Sequence, residues 1–464
     1  MAYYQKRGEN TYRLVASTGY DDKGKNRRKT RNITLRKGMT EKQIEDELNR
    51  LTTLFQEEVN NGLYLDGEKI TFSEFANKWL KEFAEKNLAV YTLKYYEIWL
   101  EQRINPAIGH IKMAKLQPNH LMEFYNNLRE EGIRFDTKYR PKKVLIEKIE
   151  NSSSYSLEKS TGVSLKTCQR IKRGETVTPA VAEKLCDALK LNKKKMFVSV
   201  DADKKLSDKS VRNIFGVVSS ILGKAVKWNV IKDNPAERVD LGKKHKYKPD
   251  YYDDEQITEM FTMLESEPLY HKAMIYFAVD SGAREGEIAG LMWSDINFDN
   301  QTVTITRQRQ YVDKEIGIIE KPPKTDSGLR PITLSDTVAA LMKQYKEQQS
   351  ADKMMFGDAW KNDNEYVFVH RDGTVIHPQF PYRMFTAFLL KHKLPKITFH
   401  QLRHTNASLL IAAGVDVVTL SGRLGHSDKN ITLNTYSHII KSKEVEAANK
   451  MELFYKRKNN KKEP

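Results

Sequence analysis

The stretch FHQLRHTNASLL, which starts at Phe399, places two histidines and an arginine within one helical turn, directly ahead of an apolar helix. His400, Arg403 and His404 are three and four positions apart, so a helix would put them on one face. Groups that can all carry positive charge repel one another there, which costs stability unless an anion binds between them. The turn is therefore either the solvated start of a helix or part of an anion site.

Three further stretches carry residues suited to the same anion. AVDSGAREGEIAG has Arg284 at a predicted turn after a helix, with Glu287 three positions later. KPPKTDSGLRPITL has Lys324 between two predicted strands, and LSGRLGHSDKNITLNTYSHII carries His426 and then Tyr436. Each stretch alone is a weak signal, whereas the ordered set of Arg, Lys, His-x-x-Arg, His and Tyr is a strong one.

The ordered set resembles the tyrosine recombinase family, in particular the integrases of phages and conjugative transposons. The resemblance extends over about residues 1–440, with residues 135–205 as an addition to the family's usual plan. It implies a site-specific DNA recombinase that integrates and excises a mobile element. It also implies Tyr436 as nucleophile, Glu287 as a support for Arg284, and a catalytic set that consists of Arg284, Lys324, His400, Arg403 and His426.

The chemistry of a phosphodiester gives these residue types a physical reason. More negative charge collects on the non-bridging oxygens as phosphorus becomes five-coordinate, so fixed cations stabilise the transition state more than the ground state. Two arginines present planar forks that match phosphate oxygens, and His426 can add a third donor. Attack by Tyr436 would keep the bond energy in a 3′-phosphotyrosyl link, so the strand could be rejoined without ATP. We expect His400 to accept or orient the phenol proton, and Lys324 to protonate the leaving 5′-hydroxyl.

The elements that must position these residues predict a mostly helical α+β protein of several domains. Residues 1–65 combine strand-like stretches, TYRLVAS and NITL, joined by a basic turn-rich link, with a helix capped by Thr40; we expect a small sheet-plus-helix domain that binds arm sites. The helix should bury one apolar stripe, formed by Ile44, Leu48, Leu51 and Leu54.

Two larger domains follow. Residues 70–240 are predicted to form a helical core-binding domain with an inserted module at 135–205. Residues 248–440 are predicted to form a mixed α/β catalytic domain, in which QTVTITRQRQYV is one strand. Residues 441–464 are predicted to form a tail with an amphipathic helix and a basic end.

The inserted stretch resembles the helix-turn-helix of phage-repressor-like regulators. Gly162 would permit the tight turn, Ser164 would cap the second helix, Gly174 would end it, and Pro179 suits a following first turn. By that resemblance, five residues would face the DNA major groove: Ser164, Lys166, Thr167, Gln169 and Arg170. The alternative is a helical spacer that kept the fold and lost the binding.

Composition narrows the partner and the compartment. The 464 residues include 78 Lys and Arg against 61 Asp and Glu, a net charge of +17 that favours a polyanion over a small neutral substrate. Only two cysteines are present, so we expect no disulfide framework and a reducing cytoplasm. No apolar run is long enough to span a membrane, and the start MAYYQKRGEN lacks the apolar stretch of a secretion signal.

The expected partners are double-stranded DNA at core and arm attachment sites, a homotetramer on that DNA, and accessory DNA-bending or excision proteins. No cofactor or metal is expected. A zinc hydrolase would need a glutamate where Gln401 stands between His400 and His404. A non-catalytic DNA-binding regulator would not need Tyr436. A type IB topoisomerase and a chromosome-dimer-resolving recombinase share the chemistry but lack a use for the N-terminal domain.

Overall fold

The structure is a computed structural model that describes residues 2–20, 26–60, 70–131, 138–200, 204–243, 250–323, 326–442 and 451–452. It is mostly helical with small sheets, as predicted, and it divides into two compact units, Met1–Lys244 and His245–Pro464. The elements of the first unit are β1 (Tyr3–Lys6), β2 (Thr11–Tyr20), β3 (Asn26–Thr34), α1 (Glu41–Asn60), α2 (Phe72–Trp79), α3 (Glu85–Asn87), α4 (Val90–Trp99), α5 (Asn105–Ile108), α6 (Pro118–Asn127), β4 (Tyr139–Pro141), α7 (Lys143–Glu150), α8 (Ser154–Thr161), α9 (Leu165–Lys172), α10 (Pro179–Ala188), α11 (Lys193–Met196), β5 (Phe197–Ser199) and α12 (Asp208–Lys227).

The N-terminal sheet is antiparallel, in the order β1-β2-β3, and α1 packs on it through two small apolar clusters. The basic link predicted before NITL is too long: Gly19 and Tyr20 lie in β2, residues 26–31 lie in β3 and pair with β2, and residues 21–25 lie outside the described residues. Thr40 caps α1 as predicted, since its hydroxyl accepts from the Gln43 N–H. Phe55 rather than Leu54 completes the apolar stripe: Phe55 is 1% exposed and Leu54 42%, because position 55 continues the helical repeat from Leu51.

The helices α2 to α6 and α12 share one apolar core, although about 80 residues separate α6 from α12 in the sequence. Thr71 begins α2 with a capping box, in which its hydroxyl and the Glu74 carboxylate satisfy each other's backbone N–H groups. Asp208, at the start of α12, accepts from Arg129 at 2.6 Å and from Arg212 at 2.7 Å. This ion pair joins the two chain segments that flank the inserted stretch.

Residues 138–200, hereafter the inserted module, have their own apolar core. The strands β4 and β5 pair antiparallel at its two ends, with Tyr139 opposite Ser199. Gly162 adopts the left-handed conformation (φ +64°) between α8 and α9, and Gly174 (φ +75°) follows the end of α9, as predicted. Pro179 occupies the first turn of α10.

The second unit contains α13 (Asp254–Leu264), α14 (Leu269–Ser281), α15 (Glu285–Ala289), β6 (Ile296–Asn297), β7 (Thr302–Ile305), β8 (Gln308–Tyr311), β9 (Ile318–Lys321), β10 (Arg330–Thr333), α16 (Asp336–Phe356), α17 (Phe380–Lys391), α18 (Phe399–Ala412), α19 (Val417–Leu424) and α20 (Lys429–Ser442). The single strand predicted for QTVTITRQRQYV is wrong. It is two strands that belong to different sheets, β7 beside β6 and β10, and β8 beside β9; between them, Thr306 and Arg307 donate to the Asp295 carboxylate.

The helix α14 is the centre of the second unit's core. Most of its side chains are buried, among them Ala273, Met274, Ile275, Phe277 and Ala278, and it packs against α16 and α18. A helix buried on nearly all sides fixes the position of its own C-terminal end. That end carries the chain directly into Arg284. Within the described ranges, no helix combines the length and apolar character that a membrane crossing requires.

Candidate active site

The first turn of α18 fastens Arg403 to two other chain segments. Thr398 begins the helix with a capping box to Gln401. The Arg403 side chain, only 3% exposed, donates to the Gly282 carbonyl at 2.8 Å and to the Leu424 carbonyl at 2.5 Å. A guanidinium has five N–H groups, so Arg403 retains donors for a ligand.

Gly282 is the residue that lets these segments meet. It ends α14 with φ +61°, and a Cβ there would lie 2.8 Å from Leu424 Cδ2 and 3.0 Å from Asn406 Oδ1. The Asn406 amide donates to the Val279 and Asp280 carbonyls, which the end of α14 would otherwise leave without partners. The turn is therefore closed by α18 and cannot accommodate a side chain without shifting.

Arg284 begins α15, and Glu287 holds it there. The Glu287 carboxylate, 3% exposed, accepts from the Arg284 backbone N–H at 2.9 Å and from its Nη1 at 2.7 Å. The same carboxylate accepts from Arg330 Nη2 at 2.9 Å, and Arg330 is 4% exposed. Burial raises the pKa of Glu287, but the hydrogen bonds and charges of Arg330 and Arg284 outweigh it, and the pKa is lowered.

The C-terminal end of α19 collects one guanidinium on each of three consecutive carbonyls. Arg330 Nε donates to the Arg423 carbonyl at 2.7 Å, Arg403 to that of Leu424, and Arg284 Nη2 to that of Gly425 at 3.3 Å. A helix C-terminus carries partial negative charge, so it offsets part of the repulsion among these cations. We call Arg284, Arg330, Arg403 and Glu287 the arginine cluster.

Gly425 is the second glycine that the arginine cluster requires. It is left-handed (φ +66°), and an added Cβ would lie 2.9 Å from Arg330 Nη1 and 2.9 Å from the Ser327 carbonyl. The backbone there must approach a guanidinium closely. His426 follows directly, so the same turn that binds the arginines also positions this imidazole.

His426 is oriented by a buried chain of hydroxyls. Ser421 Oγ donates to Thr432 Oγ1 at 2.7 Å, and Thr432 Oγ1 lies 2.7 Å from His426 Nδ1. Because the Thr432 oxygen already accepts from Ser421, its own hydrogen can donate to Nδ1, which leaves the His426 hydrogen on Nε2. Burial and the charges of Arg403 and Arg284 lower the pKa of His426 to about 4, so the ring is neutral at pH 7.

Tyr436 on α20 is 1% exposed and packs with Ala407, Leu420 and Leu424. Its hydroxyl lies 2.6 Å from His404 Nδ1. Burial raises the pKa of Tyr436 well above its usual value, although Arg403 opposes this. Burial, His400 and Arg403 lower the pKa of His404 to about 4. At neutral pH the phenol is therefore protonated and the imidazole neutral.

Burial and Arg284 also lower the pKa of Arg403, to about 9, which leaves the group charged at pH 7. Burial and the charges of Arg403 and Arg284 lower the pKa of His400. The His400 and His404 rings stand edge to face, with centroids 5.4 Å apart. No group of three or more His, Cys, Asp or Glu side chains suited to a metal ion occurs within the described ranges.

The structure brings together most of the residues predicted to act at the active site: Arg284, Glu287, His400, Arg403, His426 and Tyr436. Lys324, between β9 and β10, lies outside the residues that the structure describes, as does most of the tail predicted at 441–464.

Sequence reasoning missed three contributors, and each had a usable signal. Arg330 shares the inward face of β10 with Ile332, which demands a buried partner for its charge. His404 is absent from the predicted catalytic set, although it lies on the turn of His400 and Arg403. Thr432 precedes Tyr436 by four positions, the spacing that places two side chains on one helix face.

The five residues predicted to face DNA lie in the other unit, on α9 or at its start. Ser164 occupies the N-cap position, but its hydroxyl bonds to Thr167 Oγ1 at 2.9 Å instead of a backbone N–H. Arg170 donates to Glu175 Oε2 at 2.9 Å and to the Thr176 carbonyl at 2.8 Å, so it fastens the loop after α9. Lys166 and Gln169 are exposed.

Comparison with known proteins matches two parts of the chain to integrases. Residues 251–443 match the phage integrase family, and residues 71–129 match the N-terminal SAM-like domain of phage integrases. A XerC-like tyrosine recombinase of Caldanaerobacter subterraneus is 25% identical over 454 residues, which cover 96% of each chain. The ICEBs1 integrase of Bacillus subtilis is 27% identical over 247 residues, 53% of this chain and 66% of that protein.

Among solved structures, the Tn1549 transposon integrase in complex with a circular intermediate DNA aligns with a TM-score of 0.55 and 17% identity, over 79% of this chain and 95% of that one. That likeness is one of fold. Taken with the family matches, it defines a tyrosine recombinase, an enzyme for site-specific recombination. The chain therefore carries a phage integrase catalytic domain at residues 251–443 and a SAM-like N-terminal domain at residues 71–129. These matches do not favour a non-catalytic regulator.

Proposed function

We propose that this recombinase cuts and rejoins double-stranded DNA, with Tyr436 as nucleophile and Arg284, Arg403 and His426 as ligands of the scissile phosphate. One observation carries the proposal: Arg284 and Arg403 are held on adjacent carbonyls of the turn that leads into His426. Fixed cations of this kind need no reorganisation as charge develops on the phosphate oxygens. The turn of His400, Arg403 and His404 is then part of an anion site, and the scissile phosphate is the anion.

The reaction is a displacement at phosphorus. The Tyr436 Oη–P bond forms, the bond from phosphorus to the 5′-oxygen breaks, and a 3′-phosphotyrosyl strand and a free 5′-hydroxyl result. In the second step a 5′-hydroxyl from the partner duplex attacks and releases the tyrosine. The two steps conserve the number of phosphodiester bonds, so no external energy source is required.

We assign His404 as the base that accepts the phenol proton of Tyr436, because His404 Nδ1 lies 2.6 Å from Tyr436 Oη. Because the pKa of the Tyr436 phenol is raised and that of the His404 imidazole is lowered, the proton stays on the Tyr436 oxygen. The nucleophile is therefore at rest until phosphate binding changes the charge around it. His400 is left to orient the phosphate or to share the proton, and Lys324 is proposed to protonate the leaving 5′-oxygen.

The test is covalent trapping on nicked DNA. We expect the parent protein, mixed with a pool of nicked duplexes that carry a randomised segment, to form a denaturant-stable adduct whose DNA can be recovered and sequenced. Tyr436→Phe should form none, because no other phenol can replace it. Tyr382→Phe, at an exposed tyrosine on α17, should trap the same DNA as the parent. An adduct of equal yield with Tyr436→Phe would remove the assignment.

We also propose that the substrate is a mobile element which the enzyme integrates and excises. The Bacillus integrase and the Tn1549 integrase, both named for mobile elements, support this. Exchange between two duplexes cuts four strands, and each cut needs one tyrosine, so four protomers are expected on paired sites, with accessory DNA-bending or excision proteins controlling direction. The Tyr436→Phe protein on two joined duplexes should sediment as a four-protomer complex; two protomers would contradict this count.

The N-terminal sheet is proposed to bind arm sites. The strand β3 alone carries four Lys and Arg in nine residues, NRRKTRNIT. Of these, Arg28 is exposed and bonds only loosely to the Tyr3 hydroxyl, at 3.4 Å. A basic strand on a small sheet suits the backbone of a DNA groove.

A further inference from the structure

The inserted module is built as a complete small domain and not as a long loop. Its ends meet where β4 pairs with β5, and twelve buried residues from β5 and the helices and loops between form its core. Such a domain can be accommodated between α6 and α12 without disturbing the core that those helices share. Because the module has its own core, its surface residues are not needed for the core of the surrounding helices and can serve a separate role.

The helix pair α8–α9 exposes one defined face. Cys168 and Ile171 of α9 are buried in the module's core, and the Leu165 N–H donates to Glu158 Oε1 at 3.0 Å, which ties α9 to α8. The outward residues then follow a helical repeat. We call them the α9 face: Ser164, Leu165, Lys166, Gln169 and Arg173.

Basic residues dominate the module. Residues 138–200 contain fifteen Lys and Arg against six Asp and Glu, an excess of nine out of the whole chain's seventeen. Several of these cations are used by the fold itself: Arg170 fastens the loop after α9, Lys172 bonds to the Glu150 carbonyl, and Lys184 bonds to the Gly162 carbonyl.

The α9 face differs from those internally bonded cations. Within the part of the chain that the structure describes, the side chains of Lys166 and Gln169 have no hydrogen bond or ion pair. Arg173 reaches Glu175 only at 3.5 Å, and its side chain is 64% exposed. Leu165 is an apolar side chain that is 36% exposed beside Lys166. A cation, an amide and an apolar group, which this exposed helix face combines, are all side chains that contact base edges in the major groove.

We propose that the α9 face reads base pairs of duplex DNA, so that the recombinase has a sequence-recognition site of its own in the inserted module. Lys166 and Gln169 would contact base edges, Leu165 would contact a thymine methyl group, and Arg173 would hold a phosphate. The inference rests on DNA as the substrate, as proposed above, but not on the assignment of any active-site residue.

The experiment selects DNA with the full-length chain carrying Tyr436→Phe, so that cleavage cannot remove bound duplexes. The probe is a pool of duplexes with a random segment of about six helical turns. We expect the selected sequences to include a block of about four base pairs that is lost when the chain also carries Lys166→Ala, Gln169→Ala and Arg173→Ala. Affinity for the parent-selected duplex should fall by about 10-fold or more.

The matched control removes the same two charges from another helix of the module, as Lys194→Ala with Lys195→Ala. It should retain the block, and its affinity should change by less than about 3-fold, because phosphate contacts carry no sequence information. A single change, Gln169→Lys, should keep the affinity and alter the preferred base at one or two positions. That readout survives even if the triple variant folds poorly, since only a base contact changes preference.

The proposal is overturned if the parent, the triple variant and Gln169→Lys all select the same sequences. It is also overturned if the triple variant keeps the parent's sequences but sediments differently without DNA, which would make the α9 face a protein contact. Failure of the Tyr436 trapping test would leave this selection interpretable, because the selection compares the sequences bound by chains that differ from one another only on the α9 face.

Discussion

The arginine cluster and the inserted module are both rich in basic side chains, and the fold treats their arginines in opposite ways. Arg403 and Arg330 are 3% and 4% exposed and donate to backbone carbonyls, whereas the Arg173 side chain is 64% exposed with one loose partner. Buried and bonded cations are oriented before the substrate arrives, which suits charge that develops briefly in a transition state. Exposed side chains can adapt to base edges, at the cost of ordering on binding.

The same contrast between buried and exposed groups holds for two ion pairs between arginine and glutamate. Arg330 and Glu287 form an ion pair whose side chains are 5% and 3% exposed, while Arg170 and Glu175 form one at 42% and 42%. Breaking a buried pair leaves an uncompensated charge in a poorly solvated site, whereas water replaces either partner of an exposed pair. Position, not pairing, decides how much each contact contributes.

The largest effect should come from Arg403→Lys. An ammonium is a single centre, so it cannot hold the Gly282 and Leu424 carbonyls and also present a planar fork to phosphate. We expect the single-turnover rate of adduct formation to fall by about 100- to 1000-fold on duplexes trapped by the parent.

The control for Arg403→Lys is an arginine-to-lysine change in the inserted module. Arg140→Lys, at an exposed position of β4, should leave the cleavage rate within about 2-fold of the parent, because an exposed cation outside the active site stabilises no developing charge. A loss of less than about 10-fold for Arg403→Lys would show that this guanidinium is structural and does not contact the phosphate.

The next effect is on stability. Glu287→Gln should destabilise the second unit by about 3–5 kcal/mol, since it leaves Arg330 buried without its carboxylate, while Glu175→Gln should cost the inserted module at most about 1 kcal/mol. Calorimetry can follow the unfolding transitions of both variants. Equal shifts in the two would erase the distinction between buried and exposed pairs.

The stabilisation that the Glu287 carboxylate contributes should depend on pH in a defined direction. The pKa of Glu287 is lowered in the folded protein from its ordinary 4.5, so its stabilisation is complete above about pH 4.5 and is lost as the pH falls through the folded value. The stability difference between the parent and Glu287→Gln should therefore shrink in acid. A difference that grows below pH 4.5 would mean that other groups dominate.

The sequence predicted the fold class, and most of the residues it proposed for the active site do lie together in the structure, because each motif is local. Arg284 with Glu287, and His400 with Arg403, lie within one turn of each other, and their types already indicate phosphate chemistry. The helix-turn-helix pattern around Gly162 was equally local, and its turn is where the sequence placed it.

What the sequence could not give is the set of contacts made over long distances. That Arg330, Arg403 and Arg284 share three consecutive carbonyls depends on β10, α18 and α15 meeting the end of α19, and no spacing in the sequence encodes that meeting. The same limit applies to His404, whose contact with Tyr436 spans 32 positions. Arg170 shows the reverse case: its position in the pattern suggests DNA, which stays a prediction, while the structure gives its guanidinium an internal partner that the pattern did not indicate.

The smallest expected effect on the cleavage rate concerns Thr432, which acts through His426 and does not itself contact the phosphate. Thr432→Val keeps the shape of a fully buried side chain but removes the hydroxyl that orients His426 Nδ1, so the cleavage rate should fall by about 10-fold at saturating DNA, with DNA affinity unchanged. Thr432→Ser should restore most of the rate. In a His426→Gln background, Thr432→Val should cause little further loss, because the two residues then belong to one pathway. Additive losses in that double variant would assign Thr432 to packing alone, and the hydroxyl chain from Ser421 would have no part in positioning the imidazole.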